Sequence, residues 1–304
     1  MSGNTISRFY VIIALLLFAL LDMHETLAED SPPTFMHVKL ILSDSEIFTN
    51  DGLAYKVIIT NITRSSITIC GPTVRPPFAC VIEMKEAGGE WQEVWNYSEM
   101  MELFVRGPIQ IAAGSTWAEY GQVFLTKGKR HVFGKVGKYE LRGRIKSAIG
   151  SYLSHPVPLD VKAWPKGQEH LDKRFVPYGH LVLDLNTIAS QLHSADLDTL
   201  CKRHPSGGVG RTLKMMLAVH CYVESGEIEG KVATWSEAFK SLSVGLDEVR
   251  RDQLVHLFAF GAMKKKQWKD VAFLVEQLDH ESNLLRSRRS ELETAIRRGA
   301  ILEP

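Results

Sequence analysis

No stretch of this chain offers the about 20 consecutive apolar residues that a membrane-spanning helix requires; its most apolar run, Phe9 to Leu21, falls short. Neither sign of charge is in excess: 36 Lys and Arg stand against 35 Asp and Glu. A dedicated nucleic-acid binder normally carries a clear basic surplus, so that class is disfavoured. Cysteine is scarce, with four in 304 residues, but a chain this long can bury a real core without staples. Catalytic signatures are missing too. There is no Gly-x-Ser-x-Gly elbow. His24-Glu25 starts a zinc-protease pattern without its second histidine. Ser, His and Asp are abundant, but nothing in the order of residues gathers them.

What is present begins at the N-terminus. Arg8 supplies positive charge ahead of the apolar run, and Thr26-Leu27-Ala28 offers small residues where a peptidase would cut. Length and flanks predict a secretory signal over residues 1–28. The mature chain is then expected to be secreted or periplasmic, with no stable membrane span after cleavage. A buried helix and an uncleaved anchor are the alternatives. No cysteine lies near the cleavage site, so a lipid anchor is not expected.

From Met36 to Lys162 the hydrophobic period is two. Val38, Leu40 and Leu42 alternate with Lys39, Ile41 and Ser43. Tyr139, Leu141, Gly143 and Ile145 share one face, and Lys138, Glu140, Arg142, Arg144 and Lys146 the other. That is the pattern of half-buried antiparallel strands. Tyr55–Ile59, Ile67–Ile69, Phe78–Met84, Trp117–Leu125 and Val157–Val161 are further strands. Gly88-Gly89 marks a hairpin turn before Trp91 and Val94. Many short strands with regular turns predict a sandwich or barrel.

Three segments carry a family likeness. Tyr55 through Thr63 resembles the strand and Asn-x-Thr turn of bacterial secreted immunoglobulin-like domains. Ile111-Ala112-Ala113-Gly114-Ser115 resembles a turn of theirs, and Phe133 through Leu141 their late strand entry. The resemblance implies an antiparallel β-sandwich over 36–162, with Tyr139 as the tyrosine whose hydroxyl ties down a corner. The run from Val57 through Trp95 to Gly114 is also similar to immunoglobulin-like proteinase inhibitors of bacilli. The cysteine–tryptophan–cysteine core of antibody domains is missing.

Ala163 to about 180 carries Trp164-Pro165-Lys166-Gly167 and Pro177-Tyr178-Gly179 and is predicted to link two domains. From 181 to 299 the period becomes helical. Leu197, Leu200, Cys201 and His204 form one stripe; Leu213, Met216, Leu217, His220 and Cys221 form the next. Leu246 through Gly261, Trp268 through Leu278 and Leu284 through Ile296 follow, with Ser194 and Ser282 as N-caps. The expected fold is therefore multidomain, β then α. An all-α helical bundle follows the sandwich; Lys265–Leu278 loosely resembles part of a tetratricopeptide hairpin, although no second copy recurs at a fixed period.

In an oxidising compartment the four cysteines are expected to pair by proximity as Cys70–Cys80 and Cys201–Cys221. Reduced core thiols are the alternative. Cys201, His204, His220 and Cys221 are also a candidate zinc set, since zinc takes four nitrogen or sulfur ligands. His220 and Cys221, however, diverge by about 100° around a helix, and the bridge is preferred. Pro205 through Thr212 resembles a phosphate-binding loop, but proline and Arg211 stand where glycine and lysine belong. It is taken as a glycine-rich turn. Asp44, Glu46, Asn50 and Asp51 miss calcium-loop spacing and are taken as a solvated turn. The stripe Lys138, Arg142, Arg144 and Lys146 is taken as a solvated sheet face broken by Glu140.

No cofactor is expected and no catalytic residue is assigned. The function read from the residues is an exported, non-enzymatic binding protein for a protein or cell-envelope component. The alternatives are a proteinase inhibitor and an enzyme with its site between the domains.

Overall fold

The computed structural model describes residues 35–49, 51–69, 80–94, 109–123, 132–147, 150–164, 194–203, 207–278 and 281–282. The expected signal segment, Cys70, His204, most of the expected linker and the last expected helix lie outside them.

Alternating apolar residues form the strands β1 (Met36–Leu42), β2 (Glu46–Phe48), β3 (Leu53–Asn61), β4 (Ile67–Ile69), β5 (Cys80–Glu86), β6 (Gln92–Val94), β7 (Ile109–Ile111), β8 (Thr116–Val123), β9 (Gly137–Ser147), β10 (Gly150–Leu153) and β11 (Val157–Lys162). β3 is the centre of a first sheet, antiparallel to β1 through Val38↔Ile59 and to β8 through Val57↔Glu119. A second sheet runs β2-β11-β9-β5-β6, with β10 folded back on β9. It is antiparallel except where β2 lies parallel to β11. β4 pairs with β7. The two larger sheets face each other, since a Cβ on Gly143 of β9 would touch the Val57 methyls of β3 at 3.5 and 3.6 Å. Tyr55 sits opposite Gly121, and its ring fills the space that any side chain at 121 would need. Here glycine is required by close approach rather than by its backbone angles.

The C-terminal region is helical: α1 (Ser194–Arg203), α2 (Gly207–Ser225), α3 (Trp235–Leu242), α4 (Glu248–Lys264) and α5 (Trp268–Glu276). A capping box, with Thr234 and Glu237 bonding each other's backbone, starts α3. The Asp247 side chain accepts from the Arg250 amide at the head of α4. These helices share a core of their own, centred on Tyr222, Trp235 and Phe258, whose ring centroids stand 5.0–5.5 Å apart. Neither α3 nor the hairpin β12 (Glu227–Ile228)–β13 (Lys231–Val232) was expected from the hydrophobic period, both being short. Gly207 to Arg211 is helical rather than a turn. Ser194 is the first residue of α1. Ser282, expected to cap a helix, lies in β14 (Glu281–Ser282), which pairs in parallel with Trp117 and Ala118 of β8. Among the described residues no helix is long and apolar enough to cross a membrane.

The β-rich and helical regions belong to one compact unit. β3 shows why. An amphipathic strand should turn Ala54 and Lys56 to solvent, yet both are buried. α4 covers them, with Val249 packed among Ala54, Ala118, Tyr120 and Ile41.

Candidate functional site

The cysteine stripe does not converge. Cys201 is buried in the helical core, whereas Cys221 is exposed, and both are free thiols, as is buried Cys80. The expected Cys201–Cys221 bridge is therefore not formed. The physical reason is the rotation of α2, which buries Met215, Met216, Val219 and Tyr222 and turns Cys221 outward. His220 is buried, with Nδ1 3.3 Å from Glu224. Among the described residues no group of three or more His, Cys, Asp or Glu is arranged to hold a metal. Burial and the neighbouring Glu119 charge push the Cys80 thiol well above its ordinary value. Burial and Asp198 raise that of Cys201. Thiolate is the reactive form, so neither is a ready nucleophile.

Of the acidic stretch, Glu46 is exposed and pairs with Lys162, and Asn50 lies outside the described residues, but the two aspartates are not solvated. Asp44 and Asp51 are buried where the β-rich region meets the helices. Arg250 of α4, 1% exposed, donates from Nη2 to Asp44 Oδ2 at 2.6 Å and to the Gly208 carbonyl at 3.0 Å. Its Nη1 donates to Asp247 at 2.6 Å, and its Nε to Thr212 Oγ1 at 3.2 Å. Arg211 also pairs with Asp44. Burial pushes the Asp44 carboxyl up, but the hydrogen bond and charge of Arg250, with Ser43 and Arg211, outweigh it and hold it below its ordinary value. A second cluster lies on the same helix. Lys56, 3% exposed, donates to Asp252 at 2.6 Å and to Glu248 at 2.9 Å, and the Tyr120 hydroxyl donates to Asp252 at 2.7 Å. His256 Nδ1 lies 2.6 Å from the Asp252 carbonyl, with its ring edge-on to Tyr120.

The glycine-rich segment meets this junction. The Gly208 amide, at the N-terminal end of α2, donates to Asp51 Oδ2 at 3.2 Å. A helix N-terminus favours an anion; here the chain's own carboxylate takes the position a phosphate would occupy. A Cβ on Gly208 would fall 3.0 Å from Asp44 Oδ2 and 3.2 Å from the Gly52 carbonyl, so glycine at this position serves close docking of the helix. The polar atoms of this junction are directed at one another. Its chemistry is that of a buried ion network, in which each charge is tolerated because it is paired and hydrogen-bonded.

The outward face of the second sheet has a different character. The Arg142 guanidinium lies 4.0 Å from the centroid of the half-buried Trp91 ring, and Lys85 Nζ lies 5.0 Å from it. Glu83 holds both Arg142 and Arg144 at 2.7 Å, Arg144 also meets Glu93, and Lys85 meets Glu140 at 2.6 Å. The two arginines of the basic stripe are thus paired with acidic residues of neighbouring strands. Tyr139, at the start of β9, donates its hydroxyl to the Lys135 carbonyl at 3.0 Å.

No family model matches this chain, and no curated protein matches it in sequence. Solved structures give partial likenesses. A β-glucosidase from Listeria innocua in complex with gluconolactone is 12% identical over 43% of this chain and 16% of its own, with a TM-score of 0.25. The β-glucosidase EmGH1 from Erythrobacter marinus is 8% identical over 41% and 15%, at 0.28. Spo0M, a sporulation control protein from Bacillus subtilis, is 13% identical over 43% and 50%, at 0.28. The chain thus spans about a sixth of the glucosidases and half of Spo0M, and likenesses of this size carry no argument about fold or function.

Proposed function

We propose that this chain is an exported, non-enzymatic binding protein, an immunoglobulin-like sandwich joined to a helical bundle, that recognises a protein partner through the outer face of its second sheet. The observation that carries the reading is Trp91 held beside Arg142 and Lys85, with both arginines of the stripe fixed by Glu83. Tryptophan and arginine dominate the energetics of protein interfaces. Side chains already locked on strands lose little freedom on binding. The mixed signs of charge favour a polar protein surface over a polyanion. Support for the sandwich comes from two facing sheets and from the Tyr139–Lys135 bond.

A photo-crosslinking residue in place of Glu93, beside Trp91, tests the reading in the exporting cell. The expected result is one covalent protein adduct, lost when Trp91→Ala is added while thermal unfolding is unchanged. An adduct that resists protease and consists of glycan would move recognition to an envelope polysaccharide. No adduct, or one indifferent to Trp91→Ala, overturns the reading.

A further inference from the structure

The outer face of the second sheet holds a guanidinium whose donors are only partly used. Glu83 of β5 lies directly opposite Arg142 of β9 on one side and Glu93 of β6 on the other. Like charges placed opposite each other repel, and Arg144 relieves this pair by meeting both Glu83 and Glu93. The second oxygen of the buried Glu83 accepts from Arg142 Nε at 2.7 Å. The Arg142 guanidinium also lies 4.0 Å from the centroid of the Trp91 ring. Its plane and its Nε are therefore fixed. Neither Nη of Arg142 meets an acceptor among the described residues, and neither is closed off from water. The neighbouring cations differ, because Arg144 is shared by Glu83 and Glu93 and Lys85 is paired with Glu140.

We infer that Arg142 receives one carboxylate of the partner protein, an Asp or Glu side chain, on its Nη1–Nη2 edge; the assignment rests on the binding face proposed at Trp91 and supplies the group met there. A planar guanidinium edge matches the two oxygens of a carboxylate in paired hydrogen bonds. The Trp91 contact and the Nε bond have already removed freedom that an ordinary surface arginine loses on binding.

Charge and shape select this group over other anions. Glu83 divides one negative charge between two guanidinium groups, which leaves Arg142 able to take a single further charge. Glu93 and Glu140, 56% and 45% exposed, flank the site and oppose more than that. A phosphate, which carries about −1.5 to −2 charges, is disfavoured, as is a run of acidic residues. The donors are side chains on a strand face rather than the backbone nest that captures a C-terminal carboxylate, so the source is a side chain.

The test pans a display library of random linear peptides over the full chain and keeps those whose binding is lost with Trp91→Ala. The retained peptides are expected to share an Asp or Glu at one position. One of them is then compared with its amide counterpart, Asn for Asp or Gln for Glu. Against the unaltered protein the amide is expected to bind about tenfold more weakly, the loss of a hydrogen bond between charged groups. Arg142→Gln abolishes that difference, and Arg142→Lys, which keeps the charge but not the two-pronged edge, reduces it; thermal unfolding of each variant is measured alongside. Trp91-dependent peptides that share no acid, or whose loss on amide substitution persists in Arg142→Gln, overturn the inference and leave the binding face at Trp91 standing. So does displacement of the peptide by inorganic phosphate at a lower concentration than by acetate at equal ionic strength, which would assign the edge to phosphate. A library that yields no Trp91-dependent peptide overturns both the inference and the binding face.

Discussion

Asp44 concentrates the physics of this protein in one side chain. It lies seven residues before Asp51, also buried, in a stretch whose polarity reads as solvated, and its partners stand at positions 211 and 250. Replacing it with Asn leaves buried Arg250 with Asp247 as its remaining charge partner, which costs at most about 3–5 kcal/mol, the range for breaking a buried pair. Its folded carboxyl is held low, so the ionised form stabilises the fold. That contribution is complete above pH 3.8 and disappears as pH falls through the depressed folded value. Denaturant unfolding at several pH values is expected to show the full gap between wild type and Asp44→Asn at neutral pH, closing only in strong acid. The cysteines give a second prediction at this scale. Cys221 is exposed, whereas Cys80 and Cys201 are buried with raised thiol pKa values. Native alkylation followed by peptide mass mapping should label Cys221 first, and Cys80 and Cys201 only after unfolding. A protected Cys221 that becomes reactive on reduction would restore the bridge.

Helix α2 is where element-level rules and tertiary context disagree. Glycine in a helix is disfavoured relative to alanine by about 1 kcal/mol, so propensity alone predicts that Gly208→Ala stabilises. The structure reverses the sign. The new Cβ would press on Asp44, which Arg250 holds in place, and on the Gly52 carbonyl, which belongs to backbone. The expected cost is about 1–3 kcal/mol, the range for overpacked sites, read as a fall in the thermal midpoint. The same helix shows how far periodicity reaches. Leu213, Met216 and His220 of its expected stripe are buried, but Met215, Val219 and Tyr222 complete the inner face and Cys221 is left outside. A stripe of spacing three and four fixes a helix face only to within one residue's turn, about 100°. That uncertainty is enough to misplace a cysteine. The strands were more legible. Tyr139, Leu141 and Ile145 all lie on the buried side of β9, because a period of two leaves only two faces to choose from.

At the scale of the whole molecule, export and docking are separate questions. The N-terminal pattern predicts that the exported protein lacks residues 1–28, and its intact mass decides this directly. A mass retaining them would favour the uncleaved anchor. The succession of a β-rich region and a helical region follows from the change of hydrophobic period. Their union into one unit does not, because it depends on Lys56, a cation on an otherwise regular strand, and on Arg250, an arginine within a helix, being buried. Nothing local distinguishes them from surface charges.

Local patterning by itself indicated most of the longer strands and helices and where one regime gives way to the other, because periods of two and 3.6 are written in neighbouring residues, whereas short elements such as β2, β7, β10 and α3 escaped it. Tyr139 was singled out by resemblance, and its hydroxyl bond to the Lys135 carbonyl spans only four positions. Only the tertiary structure decided that Asp44, Asp51, Lys56, Asp252 and Arg250 form a buried junction, that Gly208 serves docking rather than phosphate, and that Arg142 and Arg144 of the basic stripe pair with Glu83 and Glu93. Each of those outcomes turns on a partner from a distant part of the chain or another strand. Burying a charge costs several kcal/mol unless such a partner meets it, and whether it does is a property of the packed fold rather than of the residue.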